Sequence, residues 1–277
     1  MKNILMFNDF SSEAEHAIEF ALLLAAKTNS KLYIWNTLVK RKNLIAKELT
    51  VGHCSEEIEV SVDGSGAVSK FDSGLTWNGG LPSQVRFIAG IDFAVGNVLS
   101  IVEEFEIGML VMGLTPNSEG VKLIEAETIK CATKSGCPIL LIPEKFEFKY
   151  FKKIVYPTDL RYSPHEILSF LNQLAESVNA SILIANIALR GLPFMEDSYA
   201  VTIFKEAISK SGKRAQFYFN NVRERDVPRA IDVLINGMNN DLLVLMNNRF
   251  HFNELLGYSK PYAVPSNIRV PLLIFPT

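Results

Sequence analysis

The chain has 277 residues, 48% of them apolar, a net charge of −2 and three cysteines. That is enough apolar content to bury a sizeable core, and the length suits two domains better than one. The weak negative charge excludes a sequence-wide electrostatic footprint for nucleic acid or an anionic membrane. Cys54, Cys131 and Cys137 form no Cys-x-x-Cys pair, and the four histidines lack zinc-ligand spacing. Reduced thiols in a cytoplasmic protein without a metal site are therefore expected. The most apolar helical stretch, residues 17–26, is interrupted by Glu19 and falls far short of a bilayer span.

In chain order, a β-rich run at Ile4–Phe7 opens the sequence, and its polar follow-on Asn8-Asp9 argues for a first strand rather than a leader. An amphipathic helix is predicted over 13–28, with Ser12-x-x-Glu15 reading as a capping box. A second strand is expected at Lys31–Trp35 and a third at Val85–Ala89. Between them, Glu57-Ile58-Glu59-Val60-Ser61-Val62-Asp63-Gly64 alternates like a strand entering a turn. A polar stretch ending Asn78-Gly79-Gly80 follows, so the region 55–83 reads as an inserted hairpin or Ω-like loop, either a surface insertion or a lid. A helix over 94–105, a fourth strand at Met109–Met112, a loop and helix, and a last strand at Ile139–Ile142 complete the first half.

The second half repeats this order. At a constant offset of 150, Ile4 meets Ile154, Asp9 meets Asp159, Phe20 meets Phe170 and Asn36 meets Asn186. Near the ends the offset is 133: Gly113 faces Met246, and residues 137–143 face 270–276. Taking 133 from 150 leaves 17 extra residues in the middle of the first half. Register at both ends identifies a duplication. The second half supplies strands at Ile154–Tyr156, Ser181–Ala185, Gln216–Phe219, Leu242–Met246 and Leu272–Phe275. Its helices are expected over 164–178, 197–210 and 228–238, the first started by Ser163-Pro164-His165-Glu166. Apolar strands alternating with helices imply an α/β fold, a doubly wound, Rossmann-like three-layer sandwich in each half. The expected division is 1–146 and 150–277, with the halves superposing as separate five-stranded domains.

Ile4–Phe7 with Asn8-Asp9-Phe10-Ser11, Leu110-Val111-Met112-Gly113 after a helix, and the Cys137-Pro138 strand ending together resemble universal stress proteins, once per half. The resemblance implies an adenine nucleotide alpha hydrolase-like fold with five parallel strands per domain in the order 3-2-1-4-5. It also implies pairing of the two domains about a pseudo-twofold axis, often through their last strands.

Nucleotide-binding members of that family use an aspartate after strand 1, a small residue after strand 2 and a glycine loop after strand 4. Carried onto this chain, those positions are Asp9, Thr37 and Gly113 in the first half, and Asp159, Ile187 and Met246 in the second. An aspartate before a helix also satisfies turn donors, so both readings of Asp9 and Asp159 stand open. In the first half Pro116 replaces the second glycine, and Glu125 and Glu127 fall where Gly-Ser belongs. A missing N–H and two carboxylates oppose a triphosphate there. In the second half Arg249 takes the second glycine position, while Ser259 and Lys260 fall near the Gly-Ser pair. Asp159, Arg249, Ser259 and Lys260 then form the better residual anion site, for ATP, AMP or a smaller anion; the alternative is a solvated polar loop. No catalytic constellation is present, so slow ATP hydrolysis is the most the residues support. His16 and His165 at helix starts read as surface or cap residues, and Cys131 and Cys137 as core. The function expected is a stress-response binding and regulatory protein with degenerate nucleotide sites; a true ATP or AMP binder and a scaffold are the alternatives. Its expected partners are the paired domains themselves, a second copy or another protein, with no nucleic acid and no membrane.

Overall fold

The computed structural model describes residues 2–36, 57–59, 85–88, 95–114, 121–147, 150–211, 215–247 and 251–276. In the first half these are β1 (Asn3–Asn8), α1 (Ser12–Thr28), β2 (Leu32–Asn36), β3 (Glu57–Glu59), β4 (Val85–Ile88), α2 (Val95–Glu104), β5 (Ile107–Leu114), β6 (Leu123–Ile124), α3 (Ala126–Ser135) and β7 (Ile139–Pro143). In the second half they are β8 (Lys153–Thr158), α4 (His165–Val178), β9 (Ser181–Ile187), α5 (Asp197–Ser211), β10 (Gln216–Val222), α6 (Val227–Asp232), β11 (Leu242–Met246), α7 (Phe252–Leu256), β12 (Tyr262–Ala263) and β13 (Leu272–Phe275). A π-helical turn, Val233–Gly237, extends α6.

The core strands run β10-β9-β8-β11-β13 in the second half and β7-β5-β1-β2-β4 in the first, each block parallel and each in the order 3-2-1-4-5. The blocks are not separate sheets. β13 pairs antiparallel with β7, Leu273 opposite Leu140, and joins them into one sheet. The expectation of two independent sheets is corrected here, and the joint falls at the last strands. The reason is visible in the residues: Leu140, Leu141, Leu272 and Leu273 are all at most 2% exposed. Parting the strands would return side chains to water at roughly 1.5–3 kcal/mol each, and would bare two apolar sheet edges.

The alternation along these two strands builds the layers. Ile139, Leu141, Leu272 and Ile274 face one core, shared with α2, α3, α6 and α7. Leu140, Ile142, Leu273 and Phe275 face the other, shared with α1 and α4. Both cores run through both halves, because every central strand is buried on two sides.

Local signals are repeated too. α1 and α4 each end in an asparagine in the left-handed conformation, Asn29 and Asn179, whose N–H returns to Ala25 and Ala175. The helix starts differ from expectation. Ser11, not Ser12, caps α1 by accepting from the Ala14 N–H, so no capping box with Glu15 forms. Ser163 does not cap α4; its hydroxyl lies 3.2 Å from the Tyr156 hydroxyl. β3 pairs antiparallel with β4, Ile58 opposite Phe87, which agrees with a strand in the inserted region. The turn and the remainder of that region lie outside the described residues. No helix among the described residues is long and apolar enough to cross a membrane.

Candidate functional site

In a doubly wound sheet the ligand crevice opens beyond the carboxyl ends of the strands, where the strand order reverses. In the second half that point lies between β8 and β11, flanked by β9. Three parts of the chain meet there: Asp159 and Arg161 after β8, Ile187 and Leu189 at the end of β9, and His251 after β11.

Asp159 is fully buried and completely engaged. Its Oδ1 accepts from the Arg161 backbone N–H at 3.2 Å and from Arg161 Nε at 2.8 Å. Its Oδ2 accepts from Arg161 Nη2 at 2.5 Å and from the Leu189 N–H at 3.0 Å. Burial pushes the carboxyl up, but the Arg161 hydrogen bond, the two backbone N–H donors and the Arg161 charge outweigh it, and the net shift is downward. Asp159 is a committed anion that ties β8 to β9.

His251 begins α7 and is 1% exposed. Its Nε2 donates to the Ile187 carbonyl at 3.0 Å, which links the start of α7 to the end of β9. Nδ1 is buried without a hydrogen-bond partner and lies 3.9 Å from Glu254 Oε1. Burial lowers the imidazole pKa, opposed by the Ile187 carbonyl and the charge of Asp159, and the neutral ring is favoured. Ile187, at the position after strand 2 that the family resemblance singles out, thus offers its carbonyl to this imidazole. Beside it, Asn186 accepts from the Leu160 N–H at 3.0 Å and donates to Asn221 at 2.8 Å, and Asn221 donates on to Met195 and Asp197.

Of the residual anion site expected from the sequence, three residues are described: Asp159, Ser259 and Lys260. Ser259 and Lys260 are exposed on the turn into β12, with the Lys260 ammonium 6.0 Å from the Tyr262 ring centroid. β12 pairs with β6 of the first half, Tyr262 opposite Ile124. The turn is therefore anchored toward the other half, while Asp159 is buried against Arg161. Arg249 lies outside the described residues. Met246 fills the first glycine position as a buried side chain.

In the first half Asp9 is exposed and accepts from the Ser11 N–H at 3.1 Å and the Ser11 hydroxyl at 2.6 Å. Asn8, buried, accepts from the Phe10 N–H and donates to Asn36 at 2.8 Å. Gly113 is required by packing: a Cβ there would stand 2.6 Å from the backbone carbon and oxygen of Glu13. The start of α1 therefore packs directly against Gly113. Glu125 precedes α3 without capping it by its side chain, and Glu127 pairs with Lys130 at 3.0 Å on the surface. Thr37 and Pro116 lie outside the described residues.

Cys131 and Cys137 are buried free thiols, and burial, aided by Glu127, pushes Cys131 up to about 11. Such a thiol is a packing group rather than a nucleophile. Among the described residues no cluster of His, Cys, Asp or Glu is arranged to hold a metal ion. Arg161 and His251 are the site residues that sequence reading missed. Arg161 was marked only by standing two residues after Asp159; nothing local marked His251, because its contact is made across 64 residues.

No family model and no curated protein matches this chain. Solved structures do. A universal stress protein from Archaeoglobus fulgidus DSM 4304 is similar with a TM-score of 0.63 at 12% identity, over 99% of this chain and 98% of that one. A putative universal stress protein from Pseudomonas aeruginosa UCBPP-PA14 gives 0.51 at 12% identity, over 99% and 92%. A functionally unknown protein from Pseudomonas aeruginosa PAO1 gives 0.50, also at 12% identity and over 99% and 92%. At such identities the likeness speaks for the fold: this chain has the fold of the universal stress proteins, over nearly its whole length.

Proposed function

We propose that this chain is a tandem protein of the universal stress type, with domains at 1–146 and 150–277, that works by binding and regulation rather than catalysis. Its two nucleotide sites are degenerate. One observation carries the reading: in the second half, the groups on which a nucleotide would rest are taken by the chain itself. Asp159 is held by Arg161 and the Leu189 N–H, and the Ile187 carbonyl by His251. Opening the crevice would strand a buried carboxylate and a buried carbonyl, and each loss costs more than a weak ligand returns. In the first half the start of α1 lies against Gly113.

The test is calorimetry of the purified chain with ATP and AMP, with mass spectrometry of any ligand it releases. No nucleotide should co-purify, and neither should bind at micromolar concentration. Micromolar binding of a triphosphate would overturn the reading. If that binding were lost in an Arg249→Ala, Ser259→Ala double variant, it would belong to the second half, and the protein would be an ATP- or AMP-binding member instead.

A further inference from the structure

The joint between the halves is pseudo-symmetric, so each groove beside it has a twin. Leu140 faces Leu273 at the centre, and Ile139–Ile274 and Leu141–Leu272 flank it symmetrically. On one side a cavity of about 830 Å³ lies between the start of α4 and the opposite half, walled by Phe170, Met246, Phe275, Cys137 and Pro138. Shifting Phe170 back by the repeat offset of 150 gives Phe20, and shifting Phe275 and Met246 back by 133 gives Ile142 and Gly113.

The two grooves differ in what fills them. Beside Phe20 runs the connection between the halves. Phe146 and Phe151 from that connection pack on the Phe20 ring at 6.1 and 5.0 Å between centroids. Both are buried, and Phe20 is 3% exposed. Beside Phe170 no such segment lies among the described residues: the ring meets Phe275 edge-on at 5.3 Å, remains partly exposed and lines the cavity. One groove is therefore sealed by aromatic side chains of the same chain, and its twin is left uncovered by the described residues.

We propose that the open groove is a docking site for an extended segment of a separate protein that carries aromatic side chains and a net positive charge. The aromatic requirement follows from the twin, where Phe146 and Phe151 close an equivalent wall. The charge follows from the rim. Glu103, Glu106 and Glu166 stand against one amine, Lys2. The segment that seals the twin, residues 145–152, has three lysines to one glutamate. Charge complementarity of this kind steers encounter and selects partners, while the buried rings supply most of the affinity. Of the described positions discussed above as nucleotide contacts Met246 alone lines this groove, and the proposal draws on Phe170 and the acidic rim rather than on it, so it stands whether or not the crevice takes a nucleotide.

The test uses the full chain and a fluorescently labelled, end-capped peptide of residues 145–152, read by anisotropy. Saturable binding is expected. It should disappear for the peptide with Phe146 and Phe151 replaced by alanine. It should weaken about tenfold in Glu103→Lys, Glu166→Lys protein, whose exposed substitutions leave the fold intact, and about as much in Phe170→Ala. If the parent shows no saturable binding up to millimolar peptide, the groove is not a peptide site. If the charge-reversed protein binds as well as the parent, the peptide sits elsewhere. Either result overturns the proposal.

Discussion

After the first strand of each half the chain makes the same turn. Asp9 Oδ1 accepts from the N–H of Ser11 two residues on, and Asp159 Oδ1 accepts from the N–H of Arg161. The difference is the third residue. Serine adds a short hydroxyl contact and leaves Asp9 in water. Arginine folds back with a two-point grip, and Asp159 is drawn fully inside, where it also takes the Leu189 N–H. An identical local motif thus yields a solvated turn in one half and a buried ion pair in the other. The comparison teaches that the aspartate alone does not define a site; the residue that answers its charge does.

The largest effect is expected from removing that answer. Arg161→Ala strands the Asp159 carboxylate in the interior and should lower stability by about 3 kcal/mol, measured by denaturant unfolding. The lowered Asp159 pKa means that the unfolded chain takes up a proton more readily than the folded one. The pair's contribution is therefore present above the ordinary carboxylate range and is lost as pH falls below about 4. Arg161→Ala should flatten that acid limb; an unchanged limb would show that the pair contributes nothing.

A second contrast is between Gly113 and Met246, equivalent ends of β5 and β11. Gly113→Ala drives a Cβ against the backbone of Glu13 and should cost about 2 kcal/mol by forcing α1 to shift. A neutral substitution, by the same unfolding measurement, would mean that α1 is free to move and that Gly113 is open to a ligand after all.

His251 has no counterpart in the described part of the first half. Its pKa is lowered, so below about pH 6.5 the unfolded chain binds a proton that the folded chain resists. Stability should fall as pH drops from 7 toward 5, and His251→Gln, which keeps a donor for the Ile187 carbonyl, should remove that slope. The smallest effect belongs to Asp9→Ala. Its partners are exposed turn groups, so its unfolding midpoint should stay close to the parent's. A large loss there would erase the contrast with Asp159.

Much of this architecture was legible in the chain. Strands such as Ile154–Tyr156 and Leu242–Met246 are short, apolar and separated by amphipathic helices, and that pattern repeats at constant offsets. Parallel order and burial on both faces follow from it, because continuous apolar strands are stable only when covered on two sides. The capping serines were placed a residue or more off, since Ser11, Ser12 and Ser163 look alike until backbone geometry selects one. The glycine positions were legible as substitutions, but not their consequence. Sequence spacing shows that Gly113 is a glycine; it does not show that α1 lies against it.

What the sequence determined by itself, then, is what depends on neighbours in the chain: element type, the repeat, the helix ends at Asn29 and Asn179, and the turns at Asp9 and Asp159. The tertiary structure decided what depends on distant partners. It joined the halves through Leu140 and Leu273, carried His251 to the Ile187 carbonyl, and placed Phe146 and Phe151 on Phe20 while leaving Phe170 without such a cover among the described residues. Periodicity records which side of a strand or helix is apolar, and hence that it will be covered. It carries no information about which remote segment does the covering, because apolar burial is non-directional and many segments satisfy it equally.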